Sequence, residues 1–278
     1  MDGGRAMFAL GEPIYTPYDI RFPLLGCQVR VSAPFWLVAA LLGYSHARYI
    51  DYSYAEAGGD TPGSAVLLVI WALAMFLSIL VHEFGHHFAF RFFGIDSHIV
   101  LYHFGGLAIP TGGRRLGRGS LYAGRLSAYS QLIISAAGPA AQLLLAVLVA
   151  IVALSLGLTI GSIGDWLTLF GLPDFGGAQP RSAIVYAIID FLIYPSVFWA
   201  LLNLLPILPL DGGRIAEELI CLFFRGTQRD AMILSIICSV LMVIWSFRRG
   251  DTFMGMFFLS FAFSNFETLQ SGGMRRPW

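Results

Sequence analysis

Long apolar segments constrain this chain more than any other feature of its sequence. A membrane-spanning helix requires about 20 mostly apolar residues, and about six stretches approach that length. Hydrophobic residues make up 57% of the 278 residues and charged residues only 12%, whereas soluble domains carry about 25% charged residues. We therefore predict an all-α polytopic membrane protein with spans at Ala33–Tyr49, Ser64–Phe93, Ala128–Leu156, Ser182–Leu210, Ala231–Phe247 and Thr252–Phe266.

The segment between the second and third spans has a different pattern. Gly105-Gly106 and Gly112-Gly113 are flanked there by alternating apolar residues. Such alternation, interrupted by glycine, is typical of paired strands. We predict a small β-hairpin over His98–Thr111, associated with the membrane. No repeat, low-complexity run or second domain is evident, so residues 1–278 are expected to form a single domain.

The arginines of the short loops predict the orientation in the membrane. Loops rich in Lys and Arg face the cytoplasm. The end of the second span and the loop after it carry five arginines, whereas the loops before that span and after the third span carry one each. The five-arginine loop is therefore predicted to be cytoplasmic, as are both termini. Arg275 and Arg276 in the C-terminal tail fit this topology, whereas Arg248 and Arg249 contradict it. The five arginines mentioned above are Arg91, Arg114, Arg115, Arg118 and Arg125.

The sequence His82-Glu83-Phe84-Gly85-His86 stands at the end of the apolar run of the second span. On a helix, residues four apart share one face, so both imidazoles could bind one zinc ion. Glu83 lies beside that face, where its carboxylate could take a proton from a water that the metal activates. Ionisable residues are costly at such a position in a membrane helix and usually have a function.

A catalytic zinc site normally has three protein ligands, so a third is required. The candidates are His87, His98, His103, Asp190 and Asp211. His87 should point off the shared face, and the other two histidines lie in the predicted hairpin. Asp190 precedes Asp211 by 21 residues, about 30 Å along a helix, and is expected at the opposite membrane surface as an interfacial or helix-terminal acid. Asp211 remains as the best candidate.

Asp211 lies in a segment rich in helix-breaking residues, which we expect at the end of the fourth helix. Pro206 and Pro209 interrupt the helical hydrogen bonds, and Gly212-Gly213 permits a sharp turn of the backbone. Irregular backbone at membrane depth is tolerated where it lines a cavity or is buried in protein. Together with the histidine motif, this segment predicts a site rather than a simple helix terminator.

The two motifs together resemble the site-2 protease family of intramembrane zinc metalloproteases. The resemblance rests on HExxH late in one span and on NxxPxxPLDGG, which begins at Asn203, in a later span. It implies one catalytic zinc held by His82, His86 and Asp211, with Glu83 as the catalytic residue. Weaker similarities are the small-residue stretch Ser135–Gln142 and the Gly-Gly strand that follows Phe104.

The resemblance also implies a substrate and a way to bind it. The substrate would be a transmembrane protein that is cleaved within or near its membrane segment. Asn203, Gly105 and Gly106 would bind its unwound backbone, the two glycines through addition of a strand to the sheet edge. The family often carries a PDZ or CBS domain, for which this sequence has no room.

Other functions are less well supported by the sequence. A transporter or channel also has broken helices and buried acids, but it should show two matching halves, and no second copy of either motif occurs. A catalytically inactive scaffold of the same fold would lack a catalytic position, and all four are present. The balance of 17 basic and 17 acidic residues gives no support to nucleic-acid binding. No targeting signal is evident at the N-terminus, which favours a prokaryotic plasma membrane with the active site towards the cytoplasm.

Overall fold

A computed structural model describes residues 14–103, 105–113, 126–169, 171, 175–224 and 226–271. Some residues named in the sequence analysis lie outside this part of the chain, so the expectations based on them stay predictions. They are Phe104, the four arginines between positions 114 and 125, and the arginines at 275 and 276. The described residues form two compact units. One comprises Ile14–Arg118 and Ala137–Ala200, and the other comprises the described parts of Gly119–Ala136 and Leu201–Trp278.

Helices form most of the described chain, and each predicted span corresponds to one of them. Four helices are long and apolar enough to cross a membrane: Ser64–Phe92 (α2), Ala128–Ser155 (α3), Ala183–Asn203 (α5) and Gln228–Arg248 (α7). The helices of the predicted first and last spans are less apolar than these four, so six spans are not confirmed. The helices are Ala33–Glu56 (α1), Ser64–Phe92 (α2), Ala128–Ser155 (α3), Ser162–Leu169 (α4), Ala183–Asn203 (α5), Asp211–Phe223 (α6), Gln228–Arg248 (α7) and Thr252–Gln270 (α8).

A four-stranded sheet accompanies the helices of the first unit. Its strands are Ile20–Leu24 (β1), Cys27–Val31 (β2), Ile95–Tyr102 (β3) and Gly105–Gly113 (β4), in the order β1-β2-β3-β4. The β3–β4 hairpin was predicted from the sequence, whereas β1 and β2 were not. The β1–β2 and β3–β4 pairs are antiparallel and β2–β3 is parallel.

The sheet is anchored by its apolar face. Val29, Val31, Ile99 and Leu101 are almost fully buried and pack in one core with apolar residues of α1 and α2, among them Ile79. Burying an aliphatic side chain of this kind contributes about 1.5–3 kcal/mol. The core therefore fixes the sheet against the half of α2 that precedes the histidine motif.

Two helices occupy segments that the sequence suggested were loops. One is α4, in the glycine-rich segment after α3, and the other is α6, in the segment of mixed charge that begins at Asp211. The fourth predicted span was also too long, because α5 ends at Asn203 rather than at Leu210. Pro206 and Pro209 follow that end, and proline cannot continue the helical hydrogen bonds. Asp211 consequently begins α6 instead of ending α5.

Asp190 is not the interfacial or helix-terminal acid that we expected. It lies well inside α5 and is fully buried. Its Oδ2 is 2.7 Å from Nε2 of His46 on α1, and its Oδ1 accepts a hydrogen bond from the backbone N–H of Ser162 at 2.6 Å. A buried carboxylate needs such partners, because removing it from water without them is costly. Asp190 therefore ties α1 and the start of α4 to α5.

Replacing Asp190 by alanine is expected to lower the free energy of unfolding by about 1–3 kcal/mol, because the partly buried His46 ring and Ser162 N–H then lose their acceptor. Thermal unfolding of the purified protein in detergent measures the change. Asp165→Ala on α4 is the control and should cost less than about 1 kcal/mol, since it removes only a helix-terminal charge. Equal stability of Asp190→Ala and wild type would show that the pair stabilises nothing.

Candidate metal centre

His82 and His86 lie one turn apart on α2 and are both buried. Their Nε2 atoms approach to 3.1 Å, and their ring planes are inclined at 76°. Two imidazoles that direct the same nitrogen to one point can hold a divalent cation between them. The helical spacing of the motif thus produces the predicted pair of metal-ligating nitrogens.

Glu83 is buried beside this pair and close to the sheet. A methyl group on Gly106 of β4 would overlap the Glu83 carboxyl group, so a larger residue there would displace that carboxyl group. Burial, and secondly the nearby Glu83 carboxylate, raise the pKa of the Tyr102 phenol on β3 well above its usual range. The Glu83 carboxyl group therefore lies against the strand on which Gly105 and Gly106 were predicted to bind substrate.

Gly138 of α3 faces the two histidines. A methyl group there would overlap His86 Nε2 and lie 2.8 Å from His82 Nε2, in the space next to both nitrogens. On α2, a methyl group on Gly85 would overlap the carbonyl oxygen of Ala137. The two glycines therefore allow α2 and α3 to approach closely while leaving room at the nitrogens for an ion.

The donor set suits zinc. Ligand atoms of His82, His86 and Asp211 all lie within 4.8 Å of one another, and no other such group of three occurs among the described residues. Two imidazole nitrogens and one carboxylate oxygen form a ligand set typical of catalytic zinc, with a position left for water. Of the predicted site residues, the structure therefore brings together the three proposed ligands, and Glu83 adjoins His82 in the chain.

The other histidines considered as ligands do not join this group. His87 is buried away from it, with its Nδ1 2.8 Å from the hydroxyl of Ser97 on β3. His98 lies on β3, and His103 is exposed after it. The expectation that His87 points off the shared face is consistent with this contact.

The segment before Asp211 is held by the last two helices. The backbone N–H of Leu208 donates to the Ser235 hydroxyl of α7 at 2.8 Å, and its carbonyl oxygen accepts from the Asn265 side-chain amide of α8 at 2.7 Å. The backbone N–H and carbonyl groups of an irregular segment lack the hydrogen bonds that a helix would supply. Here the two side chains supply them instead. The loop that leads to Asp211 is therefore fixed from both sides.

Gly212 and Gly213 serve close packing rather than the sharp turn that we expected. Both lie in the first turn of α6 and are buried. A methyl group on either would overlap the backbone of the preceding loop, near Leu204 for the first and Ile207 for the second. The glycine pair allows the start of α6 to fold back against its own connection.

Sequence analysis missed several residues of this region. Gly138 and Gln142 were noted only as parts of a small-residue stretch, yet one adjoins both histidine nitrogens and the other contacts His82. Ser235 and Asn265 were not singled out at all. A polar residue within an apolar span is the signal that could have found Gln142 and Asn265. Asn203, at the end of α5, is half-buried, and its role as a substrate contact stays a prediction.

Comparison with known proteins adds three findings. The family model for peptidase family M50 matches residues 70–246, more than half of the chain. A candidate zinc metalloprotease of Synechocystis sp. is 31% identical over 213 residues, which are 76% of this chain and 46% of that protein. The chain thus spans about half the length of this curated relative.

The third finding concerns the fold. The structure of a site-2 protease from Methanocaldococcus jannaschii aligns with 94% of this chain and 100% of its own, with a TM-score of 0.52 and 16% identity. This likeness shows a shared fold. The four apolar helices, in a chain that the M50 family model matches over residues 70–246, indicate an integral membrane protein.

Proposed function

The chain belongs to peptidase family M50, and on that premise we propose that it is a zinc metalloendopeptidase that acts inside the membrane. It would hydrolyse a peptide bond within or near the transmembrane segment of a membrane-protein substrate. The observation that carries the proposal is the group formed by His82, His86 and Asp211, beside a buried glutamate at the end of an apolar helix.

Each residue has a distinct part in the proposed reaction. His82, His86 and Asp211 would hold the zinc ion, which when bound supplies Lewis acidity and activates water near neutral pH. Glu83 would accept a proton from the attacking water and pass it to the leaving amine, as a general base and then a general acid. Its burial beside Gly106 supports this part, because a carboxylate shielded from bulk water interacts more strongly with charge that develops near it.

The substrate backbone would be bound in an extended form. The β4 strand is at the end of the sheet order, and no further strand among the described residues pairs with its outer edge. An unwound substrate segment could pair with this edge at Gly105 and Gly106, next to Glu83. Asn203 would contact the same segment through its side-chain amide. Extended binding would expose the scissile carbonyl, which a helical substrate keeps hydrogen-bonded.

The topology that we propose adds α1 and α8 to the four apolar helices, giving six spans. The site would then face the cytoplasm of a prokaryotic plasma membrane, because Arg91 and the arginines that follow it favour that side. A single-domain organisation is also proposed, because the sequence shows no repeat, low-complexity run or second domain. Accessibility of single engineered cysteines to a membrane-impermeant reagent would test this arrangement.

The zinc content of the purified protein tests the ligand assignment. Wild type should hold about one zinc per chain. Loss of a hydrogen-bond partner of a metal ligand typically weakens metal binding by about 10–100-fold. Asp211→Ala removes a ligand itself, so it should bind zinc more than about 100-fold more weakly than wild type. Cleavage of a single-span substrate should be lost with the metal. Asp165→Ala, which removes a carboxylate from α4, is the control and should keep the metal. Undiminished zinc in Asp211→Ala would contradict the assignment.

A further inference from the structure

A chain of buried hydrogen bonds leads away from His82 into the membrane-spanning part of the first unit. His82 Nδ1 is 3.0 Å from Oε1 of Gln142, and Nε2 of that amide is 2.8 Å from the Ser78 hydroxyl. Ser78 in turn lies 2.8 Å from the hydroxyl of Ser196. The glutamine and both serines are fully buried. These hydrogen bonds thus connect α2, α3 and α5 through polar groups that have no access to solvent.

The chemistry of the amide fixes which ring nitrogen of His82 carries the proton. A carbonyl oxygen only accepts hydrogen bonds, so Oε1 of Gln142 requires an N–H at Nδ1. A neutral imidazole with its proton on Nδ1 has its lone pair on Nε2. That is the nitrogen that faces His86 at 3.1 Å and that a methyl group on Gly138 would obstruct. The amide therefore leaves the metal-facing nitrogen unprotonated.

The opposite amide orientation would be incompatible with metal binding through Nε2. If the amide nitrogen of Gln142 faced His82, then Nδ1 of His82 would have to accept a hydrogen bond from it. The ring proton of His82 would then lie on Nε2. The two serines could serve either orientation, because a hydroxyl both donates and accepts. An ion at Nε2 thus selects the orientation in which Gln142 accepts from His82 and donates to Ser78.

We propose that Gln142 is a positioning residue that holds His82 in the tautomer and ring orientation required for binding zinc. This inference rests on the proposed function, since it assigns Gln142 to the same site. Histidine ligands generally donate their second N–H to an acceptor, and loss of that acceptor weakens metal binding by about 10–100-fold. Here the acceptor is a neutral amide on a different span, so binding of the ion and packing of α3 against α2 depend on one another.

Three variants separate this role from a purely structural one. Gln142→Met keeps a similar volume but removes the acceptor, and should weaken zinc binding by about 10–100-fold. Gln142→Glu keeps an oxygen that accepts from both His82 and Ser78, and should restore affinity to within a few-fold of wild type. Gln131→Met makes the same change elsewhere on α3 and should not alter affinity. Competition with a chromophoric chelator in detergent measures each zinc dissociation constant.

The Co²⁺-substituted protein supplies a readout of geometry. Its visible absorption should change in Gln142→Met, because the His82 ring is no longer fixed, and should return in Gln142→Glu. If Gln142 only packs the helices together, the charged variant should be at least as damaging as Gln142→Met, and that result would overturn the inference. Wild-type affinity in Gln142→Met would also overturn it while leaving the proposed function intact. Wild type that binds zinc no better than His82→Ala would overturn both.

Discussion

Replacing Glu83 by glutamine is expected to leave zinc bound while slowing peptide hydrolysis by about 10²–10⁴-fold. Glutamine has nearly the same shape as glutamate, so it should fit beside Gly106, but its amide cannot accept a proton from water. The three proposed metal ligands are unchanged. Zinc content and cleavage of a single-span substrate in reconstituted liposomes, measured on the same preparation, give the two quantities to be compared.

Glu56→Gln is the matched control for this experiment. Glu56 is exposed at the end of α1, so the same chemical change there should alter neither zinc content nor cleavage. A Glu83→Gln protein that cleaves at the wild-type rate would refute the role of Glu83. Loss of zinc from Glu83→Gln would instead show that this carboxyl group helps to build the site.

Adding one methyl group at Gly138 is expected to abolish zinc binding, although no ligand is changed. The methyl group would overlap His86 Nε2 and crowd His82 Nε2, which are the two nitrogens that must face the ion. Relief would require α3 to move away from α2, and the close approach at Gly85 resists that movement. Gly138→Ala should therefore contain little zinc and show no cleavage above background, as measured by metal analysis and the liposome assay.

Gly255→Ala provides a control for steric disturbance alone. A methyl group there would lie 2.8 Å from the ring of Phe247, so it disturbs the packing of α7 against α8 without touching a proposed ligand. We expect a lower thermal stability with zinc retained. Wild-type zinc content in Gly138→Ala would show that the ion does not use the space beside this glycine.

Features that depend on local pattern were predicted well from the sequence. The start of α2 at Ser64 was predicted correctly and its end within one residue, because an uninterrupted apolar run and the glycines on either side define it. The β3–β4 hairpin followed from alternation between glycine pairs. The histidine pair followed from helical spacing alone.

Features that depend on contacts between distant segments were not predicted. His46 and Asp190 are 144 residues apart, and Gln142 is 60 residues from His82. No pattern within a short window indicates which buried polar groups will meet. The strand β2 pairs in parallel with β3, far along the chain, but β1 pairs with its neighbour β2 across Leu25-Gly26, so that hairpin was missed although its contacts are local. The helix α6 was missed because its amphipathic pattern follows directly on two prolines and two glycines that indicate irregular structure.

The two hydrogen bonds that hold Leu208 bear on how much of the chain the proposed metal site requires. Ser235 falls inside the region that the family model matches, but Asn265 lies 19 residues beyond its end at residue 246. A fragment trimmed to the shared region would retain each proposed ligand and the general base, yet it would release one side of the peptide that leads into Asp211. We therefore expect the orientation of Asp211 to depend on a residue outside the region that the family model matches.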